Sequence, residues 1–167
     1  MGLVHVRLVA VTALVVMGVA VVAAAPLGAA AVGRHDRSRA QEVCEDMVRE
    51  SVVAAARRPL THRQRGAWQG NRYTCAYDFG AKGTLRVLVD VLPSSSAAKN
   101  AYVLVRQANP RRATLFGLGQ AAFSSGTTLV AARKDRFLLR VDGSSLARSL
   151  DRSAITWSTT RAIFKCW

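Results

Sequence analysis

Apolar residues recur along this chain in three patterns, and each predicts a different kind of element. The first is an unbroken run. Leu8 to Val32 is 25 residues without one ionisable side chain. Roughly 20 apolar residues, at about 1.5 Å rise each, cross the hydrocarbon core of a bilayer as a helix, so the run is long enough to span with some tilt. The second pattern is helical spacing. Ser38-Arg39-Ala40-Gln41 matches a capping box, in which a Ser hydroxyl and a Gln side chain satisfy opposite orphan amides, and predicts a helix starting there. Val43, Met47, Ser51 and Ala54, joined by Cys44, Val48 and Ala55, form its apolar stripe, and Pro59 ends it. Pro93 and three serines open a second helix with Ala98, Ala101, Tyr102 and Val105 inward, stopped at Asn109-Pro110. Asp151 caps a third, with Ile155, Thr159, Ala162, Ile163 and Cys166 at helical spacing.

The third pattern is alternation. Tyr73 to Phe79 and Thr84 to Leu92 read as strands joined by the turn Gly80-Ala81-Lys82-Gly83. In the second of them Leu85, Val87, Val89 and Val91 share one face, and Thr84, Arg86 and Asp90 the other. Beyond a loop holding Phe116-Gly117-Leu118-Gly119, a meander follows: Ala121 to Ser124, Thr127 to Arg133 and Arg136 to Asp142, with tight turns at Ser125-Gly126 and Lys134-Asp135. Phe137, Leu139 and Val141 alternate with Arg136, Leu138 and Arg140, so one face is expected to be buried. The fold expected is α+β: an N-terminal apolar helix over residues 1–33, then a single domain over residues 34–167. That domain holds a twisted antiparallel sheet of about five strands, with helices packed mainly on one face. At 134 residues it is large enough to bury roughly two-thirds of its chain surface unaided.

The apolar run admits two fates. Arg7 supplies a charged start, Leu8 to Val22 an apolar stretch, and Ala29-Ala30-Ala31 a small-residue site, which together describe a secretory signal cleaved near Ala31. The Ala-rich extension to Val32 makes the run long enough to remain as a membrane anchor instead. Arg34, Arg37 and Arg39 outnumber Arg7, and the positive-inside bias alone would hold the domain in the cytoplasm, though long domains translocate largely regardless of charge. Cysteine usage weighs the other way. Cys44, Cys75 and Cys166 all lie beyond the run, with no C-x-x-C pair and only His35 and His62 near them, so a disulfide in an oxidising compartment is the better reading than a zinc site. The expected location is the cell membrane, single-pass with the domain outside; secretion after cleavage is the alternative.

Charge narrows the partners. Of 24 Lys and Arg only Arg7 precedes the domain, which carries a net +13 against 10 Asp and Glu. Such a field attracts anionic lipid, polyanionic wall polymer or an acidic envelope protein. Arg57, Arg58, Arg63, Arg65 and Arg72 gather around His62 ahead of the first strand and are the candidate anion-binding residues. Trp68 and Tyr73 interleave with them as in single-strand nucleic acid binders. A nucleic acid partner is not expected outside the membrane, and the two rings suit a core or strand role. Gly117-x-Gly119 is followed by strands rather than by the helix that a phosphate-cradling loop needs, so it reads as a structural turn. No cofactor fingerprint, metal cluster or base-nucleophile pairing is visible, and neither a cofactor nor catalysis is expected. A structural or protein-docking role ranks after anion binding, and a hydrolase with an unrecognised site comes third.

Cys44, Tyr73-Thr74-Cys75-Ala76-Tyr77, Gly117-Leu118-Gly119-Gln120-Ala121-Ala122-Phe123, Arg133-Lys134-Asp135 through Val141-Asp142, and the terminal Cys166-Trp167 together resemble the small actinobacterial secreted and lipoprotein domains of unknown function. More distantly they resemble the extracellular sensor domains of actinobacterial membrane Ser/Thr kinases. The chain departs from that group in lacking a lipobox Cys. The resemblance implies an envelope location and a cystine-braced fold, and it transfers no catalytic residue. A Cys44–Cys75 bridge is expected, pinning the first helix to the first strand, with Cys44–Cys166 the alternative.

Overall fold

The computed structural model describes residues 32–62 and 66–167. The apolar run up to Ala31, and with it the anchor or signal segment, lies outside the described residues, as do Arg63 and Arg65. The order of elements is α1 (Arg34–Gln41), a 3-10 turn (Glu42–Cys44), α2 (Asp46–Ala56), β1 (Ala67–Gln69), β2 (Arg72–Asp78), β3 (Thr84–Val91) and α3 (Ser95–Gln107). The chain continues through β4 (Arg112–Leu115), β5 (Ala121–Ser125), β6 (Leu129–Lys134), β7 (Phe137–Asp142) and α4 (Arg152–Cys166). It is an α+β fold built on a seven-stranded antiparallel sheet in the order β1-β2-β3-β7-β6-β5-β4.

Two strands exceed the five expected. β1 pairs with β2 through a hairpin in which Gln69 faces Arg72, with Gly70 at φ 60° in the first turn position. Gly-Asn between two strands is a recognised two-residue hairpin signal. β4 pairs with β5 as the opposite edge. The four residues Arg-Ala-Thr-Leu are too few for alternation to register.

The helices pack mainly on one face, as expected, and α3 is the exception. Tyr73, Cys75 and Tyr77 of β2, Leu85, Val87, Val89 and Val91 of β3, and Phe137, Leu139 and Val141 of β7 form one buried cluster with Val43, Val48, Val52, Ile155 and Ile163. That face is covered by α1, α2 and α4. Leu138, Ala131 and Phe123 point the other way and cluster with Tyr102, so α3 covers the opposite face above β5, β6 and β7. Both faces of β7 are therefore buried along Phe137–Leu139. The long link from β3 at one side of β7 to β4 at the far edge carries α3 across that second face.

The first helix is broken where continuity was expected. α1 begins at Arg34, so Ser38 lies inside it and makes no capping hydrogen bond; the residue at the N-cap is Gly33. The chain extends at Glu45 (φ −76°, ψ 166°) before α2 restarts. This break shifts the helical phase. The buried stripe of α2 is Val48, Val52 and Ala56, while Met47 stands 51% exposed and Ala54 is exposed. α2 ends with Arg57 left-handed at φ 51°, two residues before Pro59. The other two helices start as the sequence implies, with Ser94 Oγ accepting from Ala97 N at 3.1 Å and Asp151 Oδ1 from Ala154 N at 2.9 Å. Gly83, at φ 87°, closes the β2–β3 connection where an added Cβ would sit 1.9 Å from the Ser145 carbonyl oxygen, so only glycine fits.

Candidate anion-binding surface

Of the basic residues expected to act together, the three that are described are divided by the sheet. Arg57 and Arg58 are exposed at the C-terminal end of α2, where the helix carbonyls carry partial negative charge that offsets part of theirs. Arg72 belongs to β2, whose Tyr73, Cys75 and Tyr77 face α2 and α4. By strand alternation its side chain lies on the other face. There Arg72 Nε is 2.5 Å from Asp90 Oδ1, and Arg140 Nη2 is 2.9 Å from Asp90 Oδ2.

Asp90 is buried, and it holds two guanidiniums from the strands on either side of β3. A carboxylate in that position needs its partners, because a buried charge left unpaired is costly. The ladder cross-links β2, β3 and β7, and Arg72 serves it directly. Sequence reading placed Asp90 on the polar face of its strand but missed the ladder, since cross-strand pairs become visible only once register is known. The register sets Arg72 opposite Asp90.

Between α2 and the segment leading to β1 lies an open hollow of about 480 Å³. Val53, Ala54, Pro59 and Leu60 form its apolar wall, with Arg49 and His62 at its polar side. His62 Nδ1 is 3.5 Å from Asp78 Oδ2, and the same short stretch is tied to β2 by Thr61 N donating to the Asp78 carbonyl at 2.8 Å. The histidine is thus positioned by a carboxylate. It stands 72% exposed.

The cysteines sit at the junction of helix and sheet. Cys44, in the 3-10 turn, is bridged to Cys75 in β2 with Cα atoms 5.7 Å apart. Tyr77, two residues along the same strand, donates its hydroxyl to the Val43 carbonyl. Cys166 is the free thiol and is half-buried. Burial pushes its pKa up, and Glu42 and Glu45 nearby push in the same direction, which keeps it in the unreactive thiol form. The end of α4 is held by Trp167, whose indole donates to the Arg39 carbonyl at 3.0 Å and whose own carbonyl accepts from Arg39 and Lys134.

Trp68 packs at the margin of the main core, with its ring centroid 5.2 Å from that of Tyr73 and Arg37 stacked above it at 5.4 Å. Tyr73 is buried. Both aromatics therefore serve the fold rather than offering bare stacking platforms. Gly117 and Gly119, at φ 76° and 60°, form the turn between β4 and β5. Among the described residues no three His, Cys, Asp or Glu side chains come together so as to hold a metal ion. No described helix is long and apolar enough to cross a membrane. Comparison with protein-family models, with curated proteins and with solved structures finds no match for the chain.

Proposed function

We propose that the chain is a non-catalytic, extracytoplasmic binding domain of the cell envelope that engages an anionic component. The observation that carries this reading is the charge left over after folding. Asp36, Asp46, Asp90 and Asp135 are committed to ion pairs with Arg136, Arg49, Arg72, Arg140 and Arg39. The domain nonetheless retains a large positive excess, and Arg57 and Arg58 face solvent among it. The disulfide Cys44–Cys75 favours an oxidising compartment. The apolar run Leu8 to Val32 brings the domain to a membrane, as an anchor or as a signal cleaved near Ala31.

The loop after α2 is the surface we assign to a soluble polyanion such as a wall polymer, with Arg57, Arg58, Arg63 and Arg65 supplying the cations. Arg72 contributes to the fold through Asp90 instead. The test changes those four arginines to Gln and compares retention on an immobilised polyanion and on anionic vesicles at two salt concentrations. At about 1 kcal/mol per cation near an anionic surface, the loss should be large at low salt and small at high salt. Equal retention of both proteins in both salts would leave a structural or protein-docking role.

A further inference from the structure

Large hydrophobic side chains are exposed at few places among the described residues, and three of them lie in one stretch. Val103 and Leu104 on α3 are 41% and 66% exposed, and Phe116, just past β4, is 86% exposed. The same stretch, residues 91–134, contains no Asp or Glu between Asp90 and Asp135 while holding Lys99, Arg106, Arg111, Arg112, Arg133 and Lys134. Lys99, Arg111 and Arg112 face solvent. Nothing in that stretch balances them.

The fold places these residues on the outer side of α3 and at its C-terminal end. Ala98 and Tyr102 turn inward over the sheet, so Leu104, two positions on and about 200° around the helix, faces out. Arg106 Nη2 donates to Thr114 Oγ1 at 3.4 Å, and Arg112 Nη1 to the Arg106 carbonyl at 3.2 Å. These bonds hold the end of α3 beside β4, an edge strand of the sheet. Phe116 follows directly, ahead of Gly117 at φ 76°.

We propose that this α3–β4 border, with Phe116 at its tip, is an interfacial contact for an anionic lipid bilayer. The inference rests on the reading above that the domain meets an anionic envelope component, and it names a second surface and its partner. Charge complementarity selects an anionic occupant, since each cation near such a surface strengthens attachment about fivefold at low salt. The apolar side chains then select lipid. A soluble polyanion satisfies Lys99, Arg111 and Arg112 but gives Val103, Leu104 and Phe116 nothing, whereas the headgroup boundary of a bilayer takes both kinds of group at once. The border lies on the α3 face of the sheet, opposite the face covered by α2. A domain resting on α3 therefore turns the Arg57–Arg58 end of α2 away from the bilayer.

The experiment reconstitutes the full chain into vesicles of phosphatidylcholine alone or mixed with phosphatidylglycerol, so that any tether through the apolar run is the same in both. Phe116→Trp places a reporter at the tip, and its emission, taken as the difference from wild type, is challenged with brominated lipid. We expect quenching of that difference emission in anionic vesicles, its absence in neutral ones, and its loss when Lys99, Arg111 and Arg112 are all changed to Gln. No quenching in anionic vesicles, or equal quenching in both, would overturn the proposal. Retention of the same protein on immobilised dextran sulfate, measured in parallel, separates the two readings. An unquenched reporter with retention intact sinks the bilayer contact alone, and loss of all anionic retention sinks the broader reading with it.

Discussion

Tyr77 shows what one hydroxyl does when the sheet takes it out of water. Its ring is buried against the main core and its hydroxyl donates to the Val43 carbonyl, tying β2 to the turn that carries Cys44. Burial pushes its pKa far above the ordinary tyrosine value, with Tyr73 beside it adding to the rise. Tyr77→Phe removes the donor and leaves that bond unmade, a loss of about 1–2 kcal/mol. The pH dependence follows from the direction of the shift. Only the unfolded chain can readily ionise this tyrosine, so its stabilisation is complete below about pH 10 and declines as pH rises beyond it. Urea unfolding should show wild type losing stability above that pH more steeply than Tyr77→Phe; parallel declines would remove Tyr77 as the cause.

Among the elements, α1 and α2 depend most on a cross-link. Neither helix has a side-chain N-cap, and α1 has 8 residues and α2 11, lengths at which isolated helices are marginal in water. The bridge from Cys44 to Cys75 spans 31 residues and restricts the unfolded chain by an amount equivalent to roughly 3–4 kcal/mol in the loop-entropy account. Replacing both cysteines by Ala should lower stability by about that much in urea denaturation. α2 and the 3-10 turn should lose hydrogen-exchange protection before β3 and β7 do. Uniform loss of protection would show that the bridge steadies the whole fold rather than this corner.

At the scale of the whole molecule the sheet separates two cores. Leu85 belongs to the cluster under α2 and α4, and Phe123 to the cluster under α3, with β7 and β6 between their strands. Both side chains are fully buried. Leu85→Ala should cost about 2–5 kcal/mol and Phe123→Ala about 3–5. Because the two sites share no neighbours and lie on opposite faces, their costs should add to within about 0.5 kcal/mol. A coupling well above that would mean that the clusters act as one core.

Local chemistry was enough to place much of this fold. The patterns in Tyr73–Phe79, Thr84–Leu92 and Arg136–Asp142 placed β2, β3 and β7 to within a residue at each end, while Asp151 and the serines after Pro93 marked two helix starts, because pleat and capping act over a few residues. The sequence left Cys44–Cys75 and Cys44–Cys166 both open, and the structure has the first, because the 3-10 turn lies against β2. The candidate site was less legible. Arg57, Arg58 and Arg72 are close in sequence, yet α2 and β2 send their side chains to opposite sides, a division that no local rule contains. The break at Glu45 left Val48 buried and Met47, expected beside it, exposed, and α3 crossed to the second face and buried Leu138. Asp90 acquired Arg72 and Arg140 only when register set three strands side by side. Periodicity alone gave the kind of each long element and the inward side of β3, α3 and α4, because each of those repeats within a few residues. Only the tertiary structure decided which face each helix covers and which charges meet, because those depend on contacts between residues far apart in the chain.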